Sequence, residues 1–385
     1  MVIRNHWLRL IEALLSKRNV LWLSGARRAG KTTLCQSIPG VEYLDCELLS
    51  TRRMMEDSES FLKRFGSQRL VLDEIHRLAN PSELLKIAAD HFPALRIIAT
   101  GSSTLQASRK FRDTLTGRKY ELHLTPLIEA DREMFPKRPL EHRLQMGGLP
   151  PFYLEETFPE RAFQEWMDSF WAKDIQELFR IENRAGFQKF FELLLIDSGG
   201  IFEATRFAKT SEVSRTSILN YLHALEATGI MQVVRPFSTH RSTEIVLAPR
   251  VYAFDTGFVC WARNWHPLRP EDKGILWEHI VLNEILALAQ GSLSVRYWRT
   301  KGGSEVDFIV EPRGRDPIAL ECKWSADHAD AAGFRAFRRL YPKGENWIVA
   351  SDVAKPYEKR MGDVSVRFFP LEKMSTLLTP LLPAI

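Results

Sequence analysis

A chain of 385 residues is too long for one compact core and suits two or three domains. Its composition, 45% hydrophobic and 26% charged, is that of an ordinary soluble globular protein, and no apolar run approaches the roughly 20 residues that a membrane helix needs. Four scattered cysteines (Cys35, Cys46, Cys260, Cys322) exclude a disulfide framework or a zinc site and suit reduced thiols in a cytoplasmic protein, while a net charge of +5 permits a nucleic-acid partner without demanding one.

The first nineteen residues, interrupted by Arg4, Arg9, Glu12 and Lys17, read as an amphipathic helix with Trp7, Leu10, Ile11, Leu14 and Leu15 on one face, and not as a signal peptide. A short apolar strand follows at Val20 to Leu23, then Ser24 and GARRAGKTT, then a helical stretch to Ile38. Strand, glycine loop, Lys-Thr-Thr and helix form the context of a P-loop, so Gly25, Ala26, Arg27, Arg28, Ala29, Gly30, Lys31, Thr32 and Thr33 are expected to cradle the phosphates of ATP. Gly25 and Gly30 let the backbone turn its N–H groups inward. Lys31 is expected to reach the β and γ oxygens, and the Thr32 hydroxyl to ligate Mg2+.

A second strand, RLVLD at Arg69 to Asp73, ends in the acid pair Asp73-Glu74 about 40 residues beyond the loop. Ligands of open α/β sheets bind at the carboxyl ends of their strands. There Asp73 would hold the magnesium through water and Glu74 would polarise the attacking water. The next strand, Leu95 to Ala99, runs into Thr100-Gly101-Ser102-Ser103; Thr100 or Ser102 either senses the γ-phosphate or merely makes a strand-end turn. Arg118, and less readily Arg112, offers an arginine finger to an ATP site, in cis or from a neighbouring subunit of a homo-oligomer.

GARRAGKTT, LVLDEIH, IIATGSS, LTGR and LTPL together resemble the AAA+ ATPase domain of many prokaryotic proteins. In those proteins the domain precedes a C-terminal domain of unknown function that itself resembles PD-(D/E)XK nucleases. The resemblance implies an α/β chain: a parallel-sheet P-loop AAA+ ATPase domain over residues 1–150, a helical and winged-helix region over 151–255, and a nuclease-like α/β domain over 256–385.

Gly147-Gly148-Leu149-Pro150-Pro151 is a break, either a linker or a wall near the nucleotide. Helical stretches are expected from Pro159 to Phe179 and from Gly186 to Asp197. Residues 202–234 then outline a helix-turn-helix with a wing strand. As a DNA reader it would present Arg215, Thr216 and Asn220 to the major groove; as a packing module it would present nothing.

Beyond it, Gly274 to Gln290 reads as an amphipathic helix carrying Glu278. Strands follow at Val295 to Trp298, Ser304 to Val310 and Ile318 to Trp324. Residues two apart in a strand share a face, so Glu321 and Lys323 point together, and a hairpin could bring Asp307 close to Glu321. An acid on a helix, then Asp, then Glu-x-Lys resembles the PD-(D/E)XK arrangement. That resemblance implies Glu278, Asp307 and Glu321 as magnesium ligands and Lys323 as the residue that orients water for cleavage of DNA or RNA. A nuclease-like fold kept for packing or for binding nucleic acid without cleavage, and a surface hairpin with incidental ion pairs, are the alternatives. At the level of the whole chain, an ATPase coupled to nucleic acid stands beside a nucleotide-dependent switch that regulates a protein partner.

Overall fold

The apolar runs at the start of the chain become five parallel strands: β1 (Val20–Gly25), β2 (Val41–Asp45), β3 (Arg69–Asp73), β4 (Arg96–Thr100) and β5 (Lys119–Leu124), ordered β2-β3-β4-β1-β5. The computed structural model describes residues 2–101, 114–176, 179, 181–238 and 248–383. Nearly every residue of β1, β3 and β4 is buried, as parallel strands covered on both faces must be. Alternate residues enter different cores. Val20 and Trp22 join Leu70, Leu72 and Ile97 beneath the helices Ser58–Lys63 and Pro81–His91. Leu21, Leu23, Val71 and Ile98 pack with Trp7 and Ile11 of the helix Asn5–Lys17, in a core that continues unbroken to Leu378. One face of this sheet is therefore shared with the rest of the protein.

The second sheet has eight strands, ordered β12-β13-β11-β10-β9-β8-β6-β7. They are β6 (Met231–Pro236), β7 (Arg250–Ala253), β8 (Ser294–Arg299), β9 (Glu305–Glu311), β10 (Ile318–Lys323), β11 (Asn346–Ala350), β12 (Tyr357–Met361) and β13 (Val364–Phe369). The expected wing does not stand apart. β6 pairs with β7 and then runs parallel to β8, Arg235 beside Arg296, so the division expected near residue 255 cuts through a single sheet.

Two helices of the middle region, Ala204–Ser211 and Arg215–Ala227, form the expected pair. Glu212 turns in the left-handed region between them, and Ser214 caps the second helix by accepting from Ser217 N at 3.0 Å. Arg215, Thr216 and Asn220 are exposed.

The helix Lys273–Ala289 departs from expectation. It is buried all round, with Leu276, Ile280, Val281, Leu282, Ile285 and Leu288 spread over every side, because it is wedged between the two sheets rather than laid on a surface. Its C-terminal Gln290 clamps the edge of the first sheet: the side-chain oxygen accepts from His123 N (2.8 Å) and the amide donates to His123 O (3.1 Å). Glu284 accepts from Glu129 N at 3.0 Å. This helix is the common spine of the two α/β units.

Candidate functional site

β1 delivers the loop. Gly25 has φ +146°, and a Cβ there would meet the Leu124 carbonyl oxygen at 2.3 Å, so only glycine fits. Arg28 and Gly30 also adopt positive φ, which brings Lys31 to the start of the helix Lys31–Gln36. Ala26 and Ala29 bury their methyl groups, leaving only their backbone to face a ligand. Three anchors from distant parts of the chain hold the loop. The buried Arg4 donates to Ala29 O (3.1 Å), Trp166 Nε1 donates to Arg27 O (3.1 Å), and the Arg27 side chain pairs with Asp174 (3.0 Å).

The ends of β1, β2, β3 and β4 converge behind the loop. Thr32 Oγ1 donates to Asp73 Oδ2 at 3.0 Å, Tyr43 donates to the same oxygen, and Thr100 donates to Asp73 Oδ1. Thr100 also accepts from Glu74 N at 3.1 Å. Thr100 is fully buried, with its hydroxyl committed to the acid pair. Glu74 sits in the left-handed region with its carboxylate 3.1 Å from His76 Nδ1. Burial pushes the Glu74 pKa up, but the hydrogen bond and charge of His76, with Lys31 and Arg27, outweigh it and hold it below the usual range. Glu74 is thus ionised. Burial lowers the Lys31 pKa, an effect that Glu74, Asp174 and Asp73 oppose, and Lys31 Nζ donates to Gly25 O (2.8 Å) and Ala26 O (3.2 Å).

In front of the loop lies a cavity of about 370 Å³, lined by Arg27, Lys31, Thr32, Glu74, Lys173 and Asp174 among others. Pro150 and Pro151 form part of its wall, and Lys173 and Asp174 come from the π-helical turn Trp171–Gln176. The break at Gly147 is built for this position. Gly147 has φ +82°, and a Cβ would collide with Asp255, whose carboxylate accepts from Gly148 N (2.7 Å) and Leu149 N (3.1 Å). Arg4, Tyr43, His76 and Asp174 were not singled out in the sequence. No motif marks them, because each reaches the loop only through tertiary packing.

Arg118 is a correction. The register sets Val20 beside Lys119 and Gly25 beside Leu124, which leaves Arg118 at the opposite edge of the sheet, roughly 15–20 Å from the loop at the rise of a strand. It pairs there with Asp90 at 2.7 Å and cannot serve its own chain's phosphates. Ser102, Ser103 and Arg112 lie outside the described residues.

In the second sheet β9 and β10 are antiparallel, and Asp307 Oδ2 accepts from Cys322 N at 2.9 Å, next to Glu321. Lys323 Nζ lies 2.8 Å from Glu321. The expected metal-ligand trio of Glu278, Asp307 and Glu321 is not assembled. Among the described residues no group of three or more His, Cys, Asp or Glu side chains could hold a metal ion. Glu278 belongs to the spine helix, which packs on the sheet face of Phe308, Leu320 and Cys322. Glu321 lies against Gly333 of the helix Ala332–Leu340, whose Phe334 and Phe337 cover the face of Ile309 and Ala319. The two acids are on opposite sides of the sheet.

Residues 17–130 match a family model described as an AAA domain, residues 137–269 a domain of unknown function (DUF8612), and residues 273–373 another (DUF4143). Uncharacterized proteins of Mycobacterium bovis (Mb2031c) and Mycobacterium tuberculosis (Rv2008c) are each 26% identical over 331 residues, covering 80% of this chain and 71% of theirs. Among solved structures, the Walker-type ATPase PABY2304 of Pyrococcus abyssi superposes with a TM-score of 0.46 at 17% identity over 68% of this chain and 96% of its own. A RuvB variant of Thermotoga maritima gives 0.29 at 15% identity over 60% and 89%. Among the described residues no helix is long and apolar enough to cross a membrane. The N-terminal third of the chain is thus a parallel-sheet, P-loop ATPase-like domain that resembles the AAA domain.

Proposed function

We infer that this protein is an ATP-hydrolysing conformational switch, in which the nucleotide pocket sets the position of the middle region and the spine helix carries that state to the C-terminal sheet. The carrying observation is the composition of the phosphate cavity, which is walled by the P-loop and acid pair on one side and by Lys173 and Asp174 of the middle region on the other. ATP would place its phosphates against the loop amides and Lys31, and would compete with Asp174 for Arg27. Glu74, ionised and oriented by His76, would accept the hydrogen bond of the attacking water. Thr32 and Asp73, oxygen donors already 3.0 Å apart, suit a hard divalent cation. Magnesium, when bound, neutralises charge on the terminal phosphates. Arg118 would act only on a neighbouring copy.

Lys31→Ala is expected to abolish ATP binding, followed with a fluorescent ATP analogue, and to cut turnover by about 10²-fold or more. In the wild-type chain, ATP should change the limited-proteolysis pattern near Trp171–Gln176. Normal turnover in Lys31→Ala, or an ATP-insensitive digest, would sink the reading.

A second reading, in which the C-terminal domain engages nucleic acid, is favoured by Lys323 standing beside Glu321 and Asp307 on adjoining strands. An ATPase rate that rises on adding DNA or RNA would select it over a protein partner.

A further inference from the structure

The wall that faces the P-loop is held from a distant part of the chain. β7 leaves the second sheet at Ala253, and two residues later Asp255 caps the helix Thr256–Arg263, its Oδ1 accepting from Gly257 N at 2.9 Å. The cap uses one carboxylate oxygen. The other, Oδ2, accepts from both Gly148 N and Leu149 N, across 107 and 106 residues of sequence. Three backbone amides thus converge on a carboxylate that is almost fully buried, the kind of charge-assisted bonding that a buried acid requires.

Pro150 is the next residue along. Leu149 leads into the short helix Pro150–Tyr153, and Pro150 and Pro151 line the phosphate cavity. A Cβ built on Gly30 would lie 3.8 Å from Pro150 Cγ, which leaves only the room of a methyl group between the ring and the P-loop. Phe152, in the same turn, stacks on Phe163 with 4.3 Å between ring centres and meets Phe258 edge-on at 5.7 Å. Phe258 belongs to the helix that Asp255 caps. Trp166, whose indole holds Arg27 O, packs on the same Phe258 ring at 4.6 Å. One helix, continuous with β7, therefore grips the cavity wall twice, by a carboxylate at Gly148 and Leu149 and by a ring at Phe152.

We propose that Asp255 is a positioning residue of the nucleotide site: by pinning Gly148 and Leu149 it sets Pro150 against the P-loop, so that ATP binding and the seat of Asp255 at the end of β7 stabilise one another. The inference rests on the reading of this cavity as an ATP pocket, and it adds to the spine helix a second connection between the two α/β units. Asp255 does not line the cavity among the described residues, so it acts through the wall and not on the ligand. The pin needs a carboxylate. A serine at this position would still offer an oxygen to Gly257 N, as helix caps do, but one short hydroxyl cannot also hold Gly148 and Leu149. An asparagine would turn its own N–H groups toward amide donors.

The test is a double-mutant cycle on the full-length chain, read as affinity for a fluorescent ATP analogue beside steady-state hydrolysis. Asp255→Ser should weaken binding by about 5–30-fold, the scale of losing hydrogen bonds to a charged group. Its kcat should stay within about twofold, because Lys31, Thr32 and Glu74 keep their places and only ground-state binding is lost. Pro150→Ala should weaken binding as well, and the double variant should be no weaker than Asp255→Ser alone, since one residue acts through the other. In the wild-type chain, ATP should slow hydrogen exchange at the amides of Gly148, Leu149 and Gly257 together, because coupled equilibria are reciprocal. A folded Asp255→Ser chain with wild-type affinity, or additive losses in the cycle, would overturn the proposal. So would exchange at these three amides that bound ATP leaves unchanged, a result that needs no variant to fold. A wild-type chain that binds no ATP would instead overturn the pocket reading and this inference with it.

Discussion

The cavity in front of the P-loop and the C-terminal acidic cluster both gather carboxylates and a lysine, the first at the carboxyl ends of parallel strands and the second from β9, β10 and the spine helix, yet they are wired in opposite ways. In the first, Asp73 accepts from the hydroxyls of Thr32, Tyr43 and Thr100, and Glu74, Lys31 and Thr32 line an open cavity. In the second, Glu278 is capped by Tyr252, Asp307 by a backbone amide and Glu321 by Lys323. Polar groups that leave their front unoccupied are poised for a ligand. Polar groups that satisfy one another hold the fold. Similar residue types in similar places thus carry different expectations once their hydrogen bonds are followed.

The sharpest way to break this comparison is at Glu74. Glu74→Gln should retain ATP binding and lose turnover by roughly 10²–10⁴-fold, because it removes a positioned base without touching the loop. Steady-state hydrolysis beside analogue binding checks this, and a parallel loss of affinity would mean that Glu74 belongs to the binding surface. At the other site the change should appear in stability. Lys323→Ala leaves Glu321 buried without its partner and should lower unfolding free energy by about 1–3 kcal/mol in chemical denaturation, with ATPase activity kept. An unchanged denaturation curve would show that the pair does not hold the fold. The smallest effect is expected at the latch between the two units. Asp174→Asn frees Arg27 for phosphate and should tighten ATP binding by a factor of about 2–10, since the pair it breaks is partly exposed. Weaker binding in that variant would make Asp174 a contributor to the nucleotide site instead of a competitor for it.

Local pattern accounts for much of what was legible. The P-loop, the strand ending in Asp73 and the helix pair around Ser214 depend on residues close in sequence, on periodicity and on turn chemistry, and the elements formed where those signals stand. The spine helix was misjudged for a physical reason. Periodicity detects one apolar stripe, whereas a helix gripped by two sheets is apolar on every side and hides its stripe. That Arg118 lies far from its own chain's loop was hidden because a motif says which residue precedes a strand and not which end of the sheet that strand presents. Arg4 and Asp174 were invisible, since their partners lie 25 and 147 residues away in the chain.

By itself the sequence determined that a glycine loop, a lysine, a threonine and an acid pair meet at one sheet edge, because strand, turn and helix propensities act over a few residues and parallel strands align their ends. Only the tertiary structure decided that the middle region closes the cavity with Asp174, that the wing strands enlarge the second sheet, and that Glu278 and Glu321 fall on opposite faces of it. Those outcomes depend on which faces share a core and on how strands register, and such long-range choices leave no local trace in the order of residues.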